Sequence, residues 1–163
     1  MNPWCPSQVA EPISATWDGH QGFTWAPGAG RFASWECSYV NVLGLGAAVR
    51  QALGLGLDAI GQRSAALGAR LRGQLAELPG VTTYDLGRTR CAIVTAKIAT
   101  RPAGAAAAAL GRAGVNVSTT VPKDNPLDTQ DRGVHPLIRF SPHYYNTEAE
   151  IDRATELVAG LAS

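Results

Sequence analysis

The stretch of the chain richest in possible chemistry is Leu137-Ile138-Arg139-Phe140-Ser141-Pro142-His143-Tyr144-Tyr145-Asn146-Thr147-Glu148. Arg139 sits inside an apolar run, where an unpaired buried guanidinium would be costly. Its planar fork is suited to bidentate recognition of a carboxylate. The structural alternative is an arginine that snorkels, or that pairs with an acid of the preceding segment such as Asp128 or Asp131. His143 has the right pKa range for a general base, yet beside Tyr144 and Tyr145 it can equally pack and help to cap the helix that follows. Residue types alone assign no catalytic residue. The three cysteines, Cys5, Cys37 and Cys91, are odd in number and lack metal-ligand spacing, so they read as reduced thiols with no metal site.

These residues need elements to hold them. Val42, Leu45, Val49 and Leu53 recur at helical spacing between Ser38 and Leu55. A second helix carries the stripe Ile60, Leu67, Leu71, Leu75 and Leu78, with Asp58 as the expected N-cap and Pro79-Gly80 as the stop. Arg63, Arg70 and Arg72 are expected on its solvated face. The period then changes to two. Residues 81–85 and 91–98 read as strands around a turn at Leu86-Gly87-Arg88. Pro102 opens an alanine-rich helix that ends near Gly114. Residues 115–118 and 137–140 read as further strands, with a polar loop over 119–135 between them. Thr147-Glu148-Ala149-Glu150 is a capping box for a last helix with the stripe Ile151, Ala154, Leu157, Val158 and Leu161. The order α-α-β-β-α-β-β-α describes an α+β two-layer domain with a mostly antiparallel sheet. Residues 1–30, punctuated by Trp4, Trp17, Phe23 and Trp25, read as an extended N-terminal segment docked on something apolar. Residues 31–163 then form the domain.

Composition bounds the partners. The 163 residues are 45% hydrophobic and 17% charged, with a net charge of +1. That suits a globular domain and gives no reason to expect nucleic acid or an anionic membrane. No apolar run approaches the roughly 20 residues of a membrane span. Residues 1–6 lack the basic and apolar regions of a secretion signal, so a cytoplasmic location is expected.

The block from Arg139 to Glu150 resembles the C-terminal signature of the class V aminotransferases, the cysteine desulfurase-like branch of fold-type I enzymes that use pyridoxal phosphate (PLP). The similarity continues upstream in matching order and covers roughly residues 24–162. Arg31-Phe32-Ala33-Ser34-Trp35-Glu36 resembles the Arg-Phe-Glu entry to the small domain. Leu43-Gly44-Leu45-Gly46-Ala47-Ala48-Val49 resembles the next helix. Pro79-Gly80-Val81 and Arg90-Cys91-Ala92-Ile93-Val94 resemble the first two strands. The resemblance implies the small-domain fold. It implies that Arg139 binds the α-carboxylate of an amino-acid substrate. It makes Asn116, with Ser118, a candidate for lining the substrate site, although both could equally be strand-end hydrogen-bond partners.

The departures are as informative. The chain has two lysines, Lys97 and Lys123, and neither has the family's His-Lys context for the PLP Schiff base. Asp18-Gly19-His20-Gln21 echoes it only with a glutamine, whose amide cannot take that role. No counterparts of the cofactor's phosphate and pyridine partners are recognisable, so no cofactor is expected on this chain alone. Trp35-Glu36 replaces the Gly-Thr that many desulfurases carry. Val117 falls where desulfurases with a short active-site loop have their cysteine, which points to an epimerase-like or carbon–sulfur lyase-like relative. The expectation is the C-terminal portion of a PLP-dependent enzyme, inactive without a lysine-bearing large domain, from another chain or in a homodimer. The alternative is a stand-alone amino-acid-binding or protein-interaction module.

Overall fold

The computed structural model describes residues 14–17, 19, 22–32, 37–124, 126–133 and 136–163. They divide into two compact units, Met1–Gln51 and Ala52–Ser163. In the first, β1 (Ala15–Trp17) and β2 (Phe23–Trp25) form an antiparallel pair, followed by a 3-10 turn at Gly28–Phe32. Phe23 and Trp25 meet edge to face at 4.6 Å and remain exposed. Helix α1 (Tyr39–Leu55) begins in this unit and buries no residue along its length. The parts of the N-terminal motifs at Trp4, Cys5, Asp18, His20, Gln21 and residues 33–36 lie outside the described residues.

The second unit holds a complete core. Helix α2 (Leu57–Ala76) follows Gly56, whose φ of +89° suits the residue without a Cβ. Asp58 therefore lies in the first turn, and Gly56 takes the N-cap position expected of it. The buried face of α2 is Leu67, Gly68, Leu71 and Leu75. After it come β3 (Val81–Thr83), β4 (Val94–Ile98), α3 (Ala103–Arg112), β5 (Ser118–Thr120), α4 (Pro126–Arg132), β6 (Leu137–Phe140) and α5 (Glu148–Ala162). The sheet order is β3-β4-β6-β5, with every neighbouring pair antiparallel. The alternation of β4 buries Val94, Ala96 and Ile98, and that of β6 buries Ile138 and Phe140. All five join one cluster with α2, α3 and α5. This is the expected α+β two-layer arrangement.

Three expectations shift, each for a local reason. The strand expected at 115–118 begins only at Ser118, because Val115 N–H donates to the Leu110 carbonyl and Val115 and Val117 turn into the core. The expected loop at 119–135 contains α4, which has Pro126 at its first position and Gly133, at φ +61°, just beyond its end. The strand expected from 91 starts at Val94, because the Cys91 and Ile93 carbonyls accept from Arg72. Arg72 is thus not a solvated residue. It pairs with Asp85, and the two side chains are 12% and 16% exposed.

Arg63 and Arg70 do face solvent, and both reach α5. Arg63 pairs with Glu148 and also donates to the Asn146 carbonyl at 3.0 Å. Arg70 forms a two-pronged bridge to Asp152 at 2.8–2.9 Å, and Gln74 donates to the same carboxylate. The capping box forms as expected, with Thr147 N–H donating to Glu150 Oε2 at 2.8 Å and Glu150 N–H to Thr147 Oγ1 at 3.3 Å. This seam fixes the start of α5 and therefore the turn leading into it. Among the described residues, no single helix is long and apolar enough to cross a membrane.

Two outcomes follow from this packing. A Cβ at Gly68 would lie 2.8 Å from Ala92 Cα, whereas one at Gly61 on the same helix would meet nothing within 4 Å. Gly68→Ala should therefore cost about 1–3 kcal/mol by overpacking, and Gly61→Ala should add about 0.5–1 kcal/mol of stability. Chemical denaturation of the two variants checks the opposite signs. The second outcome concerns pH. The Arg63 hydrogen bond lowers the Glu148 pKa from 4.5 to about 2. A carboxylate depressed on folding adds stability above its unfolded pKa and loses it as pH falls through the folded value. Melting temperature should hold down to pH 4.5 and then fall towards about 2, with a shallower fall in Glu148→Gln. An equally steep fall in the variant would contradict the assignment.

Candidate functional site

Arg139 occupies the centre of β6, which is paired on both sides. It lies opposite Thr95 of β4 and opposite Ser118 of β5. Ile138 and Phe140, its neighbours in sequence, are 0% and 4% exposed, so alternation turns Arg139 to the other face of the sheet. There it is exposed. Among the described residues it has no salt bridge. Asp131 does not pair with it, and the side chain of Asp128 lies outside the described residues. Leu137 is buried but is not part of the continuous core cluster.

Beyond β6 the chain turns at His143–Asn146. Asn146 closes this turn twice: its N–H donates to the His143 carbonyl at 2.9 Å, and its Oδ1 accepts from His143 N–H at 2.8 Å. The His143 ring stacks on Tyr145 at 4.8 Å and touches Tyr144 at 4.6 Å. This is the packing role weighed against a general base in the sequence. A cavity of about 410 Å³ opens between this turn, the start of α5 and the segment after α3. Its polar lining includes Asn116, Ser141, Asn146, Glu150 and Arg153. The Glu150 carboxyl is held below its usual range, first by the Thr147 N–H and then by the Asn146 amide. Arg153 donates to the Ala113 carbonyl at 2.7 Å and so closes the end of α3.

The two substrate candidates are thus placed differently. Asn116 is exposed and lines the cavity. Arg139 is not among the cavity's lining residues; it is exposed on the sheet face opposite the core, across from Ser118. Sequence reasoning treated Glu150 only as a capping residue, took Asn146 only as part of the Arg139 block and Tyr145 only as a packing neighbour of His143, and gave Arg153 no role. Their place in or just after the Arg139 block was the available signal.

Neither lysine lies in the cavity. Lys97 is exposed on β4 and Lys123 is exposed in the 3-10 turn Pro122–Asp124. The residues present therefore do not fit PLP on their own. Val117, which the resemblance sets at the desulfurase cysteine position, is partly buried against the core, while Cys37 and Cys91 are exposed thiols. Among the described residues, no cluster of three or more His, Cys, Asp or Glu side chains could hold a metal.

The chain and its fold are similar to those of known proteins. The chain is 34% identical to a cysteine desulfurase of Salmonella agona over 162 residues, which is 99% of this chain and 38% of that protein. The fold matches the apo structure of a cysteine desulfurase from Thermococcus onnurineus NA1, with a TM-score of 0.79 and 19% identity over 94% of this chain and 38% of that one. It also matches a cystine C–S lyase solved with its reaction product, cysteine persulfide, at a TM-score of 0.60 and 23% identity over 90% of this chain and 36% of that one. The chain thus spans well under half the length of these relatives. Residues 15–154 match the family model for aminotransferase class V, and the chain belongs to that family.

Proposed function

We propose that this chain supplies the substrate-carboxylate side of a PLP-dependent, amino-acid-transforming enzyme, and that Arg139 is the residue that receives the carboxylate. The observation that carries this reading is the placement of Arg139. A strand locked by ladders on both edges holds an exposed guanidinium, with no ion pair among the described residues, on the sheet face opposite the core. A planar fork held in that way can accept a carboxylate bidentately. It would fix the orientation of a bound amino acid, and orientation is one of the larger sources of catalysis. Asn116 and Ser118 are candidates to flank the same ligand, from the segment next to β6.

The cofactor and its lysine would come from a domain outside these 163 residues, because neither lysine here is placed to hold PLP. Helix α1 supports a large partner surface. Tyr39, Val40, Leu43, Leu45 and Leu53 are all exposed, as is expected of an element built to be covered. Val117 in place of a cysteine favours epimerase-like or carbon–sulfur lyase-like chemistry over persulfide transfer. One observation favours a second reading, a stand-alone amino-acid-binding module: Ala52–Ser163 holds a continuous core of its own.

Fusing this chain behind the lysine-bearing domain of a class V relative tests the proposal. The fusion should turn over an amino acid that the chain alone leaves unchanged. Arg139→Lys keeps the charge and loses the fork. It should lower kcat/KM by one to three orders of magnitude, about 1.4–4 kcal/mol of transition-state stabilisation, while the melting temperature stays put. A lowered melting temperature with normal kinetics would make Arg139 a structural residue.

A further inference from the structure

The face of the sheet that carries Arg139 holds a second cation. In β4 the buried residues are Val94, Ala96 and Ile98, which leaves Thr95 and Lys97 pointing the other way. Thr95 lies directly opposite Arg139, so Lys97 is the diagonal neighbour of Arg139 on the same face. Diagonal positions in an antiparallel pair are separated by about 7–8 Å, within reach of long side chains. Both side chains are exposed, and neither has a salt bridge among the described residues. The other residues that alternate onto this face from the registered strands are Thr82, Thr95, Ser118, Thr120 and Leu137. None of them is acidic.

Two like charges on neighbouring positions of one sheet face repel each other. Nothing on the strands offsets that here, whereas the other well-placed arginines of this unit, Arg63, Arg70 and Arg72, each have a carboxylate. Arg139 and Lys97 share one sheet face with hydroxyl side chains between and beside them. The two cations differ in kind. Arg139 offers a directional fork, while Lys97 offers a compact point charge on a flexible stem, which suits a second anionic group of less strictly defined position.

We propose that Lys97 is a specificity-determining residue, and that the amino acid received by Arg139 carries a second anionic group on its side chain. The inference rests on the reading of Arg139 as the carboxylate receptor and deepens it. Arg139 takes the α-carboxylate, and Lys97 takes a carboxylate, sulfinate or comparable anion one to a few bonds beyond the α-carbon. An uncharged side chain of the same shape would leave the ammonium unneutralised.

The test uses the full chain, isotopically labelled, and follows the backbone amides of Thr95 and Ser118 by NMR. L-glutamate is titrated against its isostere L-glutamine, with inorganic phosphate as a separate arm, at constant ionic strength. Glutamate should bind about tenfold more tightly than glutamine. Lys97→Met should erase that preference while leaving glutamine binding unchanged, and Lys97→Arg should restore most of it. Equal affinities in the wild type, or a preference that survives Lys97→Met, would overturn the proposal. Phosphate that binds as tightly as glutamate and is lost with Lys97 would also overturn it, by making this a phosphate site rather than a side-chain pocket. Arg139→Met separates the two readings. If glutamine still binds to that variant, the carboxylate assignment of Arg139 fails, whatever Lys97 does.

Discussion

The second unit is organised by the double pairing of β6. A strand of four residues, Leu137–Phe140, is hydrogen-bonded to β4 on one edge and to β5 on the other. Its register cannot slip by one residue without exchanging its two faces. Such a slip would expose Ile138 and Phe140 and drive the Arg139 guanidinium into a core made of leucines, valines and alanines, an expensive exchange in both directions. The apolar packing under the sheet therefore determines where the cation above it stands. The polar seam between α2 and α5 adds to this. Arg63, Arg70 and Gln74 hold the first turns of α5, and α5 in turn holds the His143–Asn146 turn that follows β6. Core, seam and strand act together to fix one short stretch of chain.

Much of this was legible in the sequence because it depends on local rules. The period-two run around Arg139, the capping box at Thr147 and Glu150, and the leucine stripe of α2 are each readable from spacing alone, and each is present. The missed features depend on distant partners. Arg72 is drawn off the helix surface by Asp85 and by two carbonyls in the following hairpin, and no helical periodicity encodes that. Val115 and Val117 look like strand residues, yet they serve the core first, so sheet pairing waits until Ser118. Helix α4 was missed despite a Pro126-to-Gly133 frame, because its seven residues carry little apolar pattern. Asn116 was picked out by resemblance and does line a cavity, while Arg139, picked out by the same resemblance, stands outside it. The sequence could order these residues along the chain but could not say which surface each would join.

The chain spans 38% of the cysteine desulfurase it resembles. It carries a complete sheet-and-helix core, an arginine on a doubly paired strand and an apolar helix, α1, with no buried residue. We propose that such a domain acts as a recognition half, presenting cations on a rigid sheet and leaving bond-breaking chemistry to other residues. A carboxylate receptor would be worth holding rigidly, because a fork that wanders by an ångström loses much of its orienting power.

The side chain of Arg139 can report on this directly. In uniformly ¹⁵N-labelled chain titrated with L-alanine, the Arg139 Nε–H resonance should shift as a bidentate carboxylate bond forms. The Nε–H resonances of Arg70 and Arg72, both already engaged with carboxylates, should stay in place. An Arg139 signal that does not move at saturating ligand, or one that moves no more than the other two, would contradict the claim that this residue is the chain's carboxylate receptor.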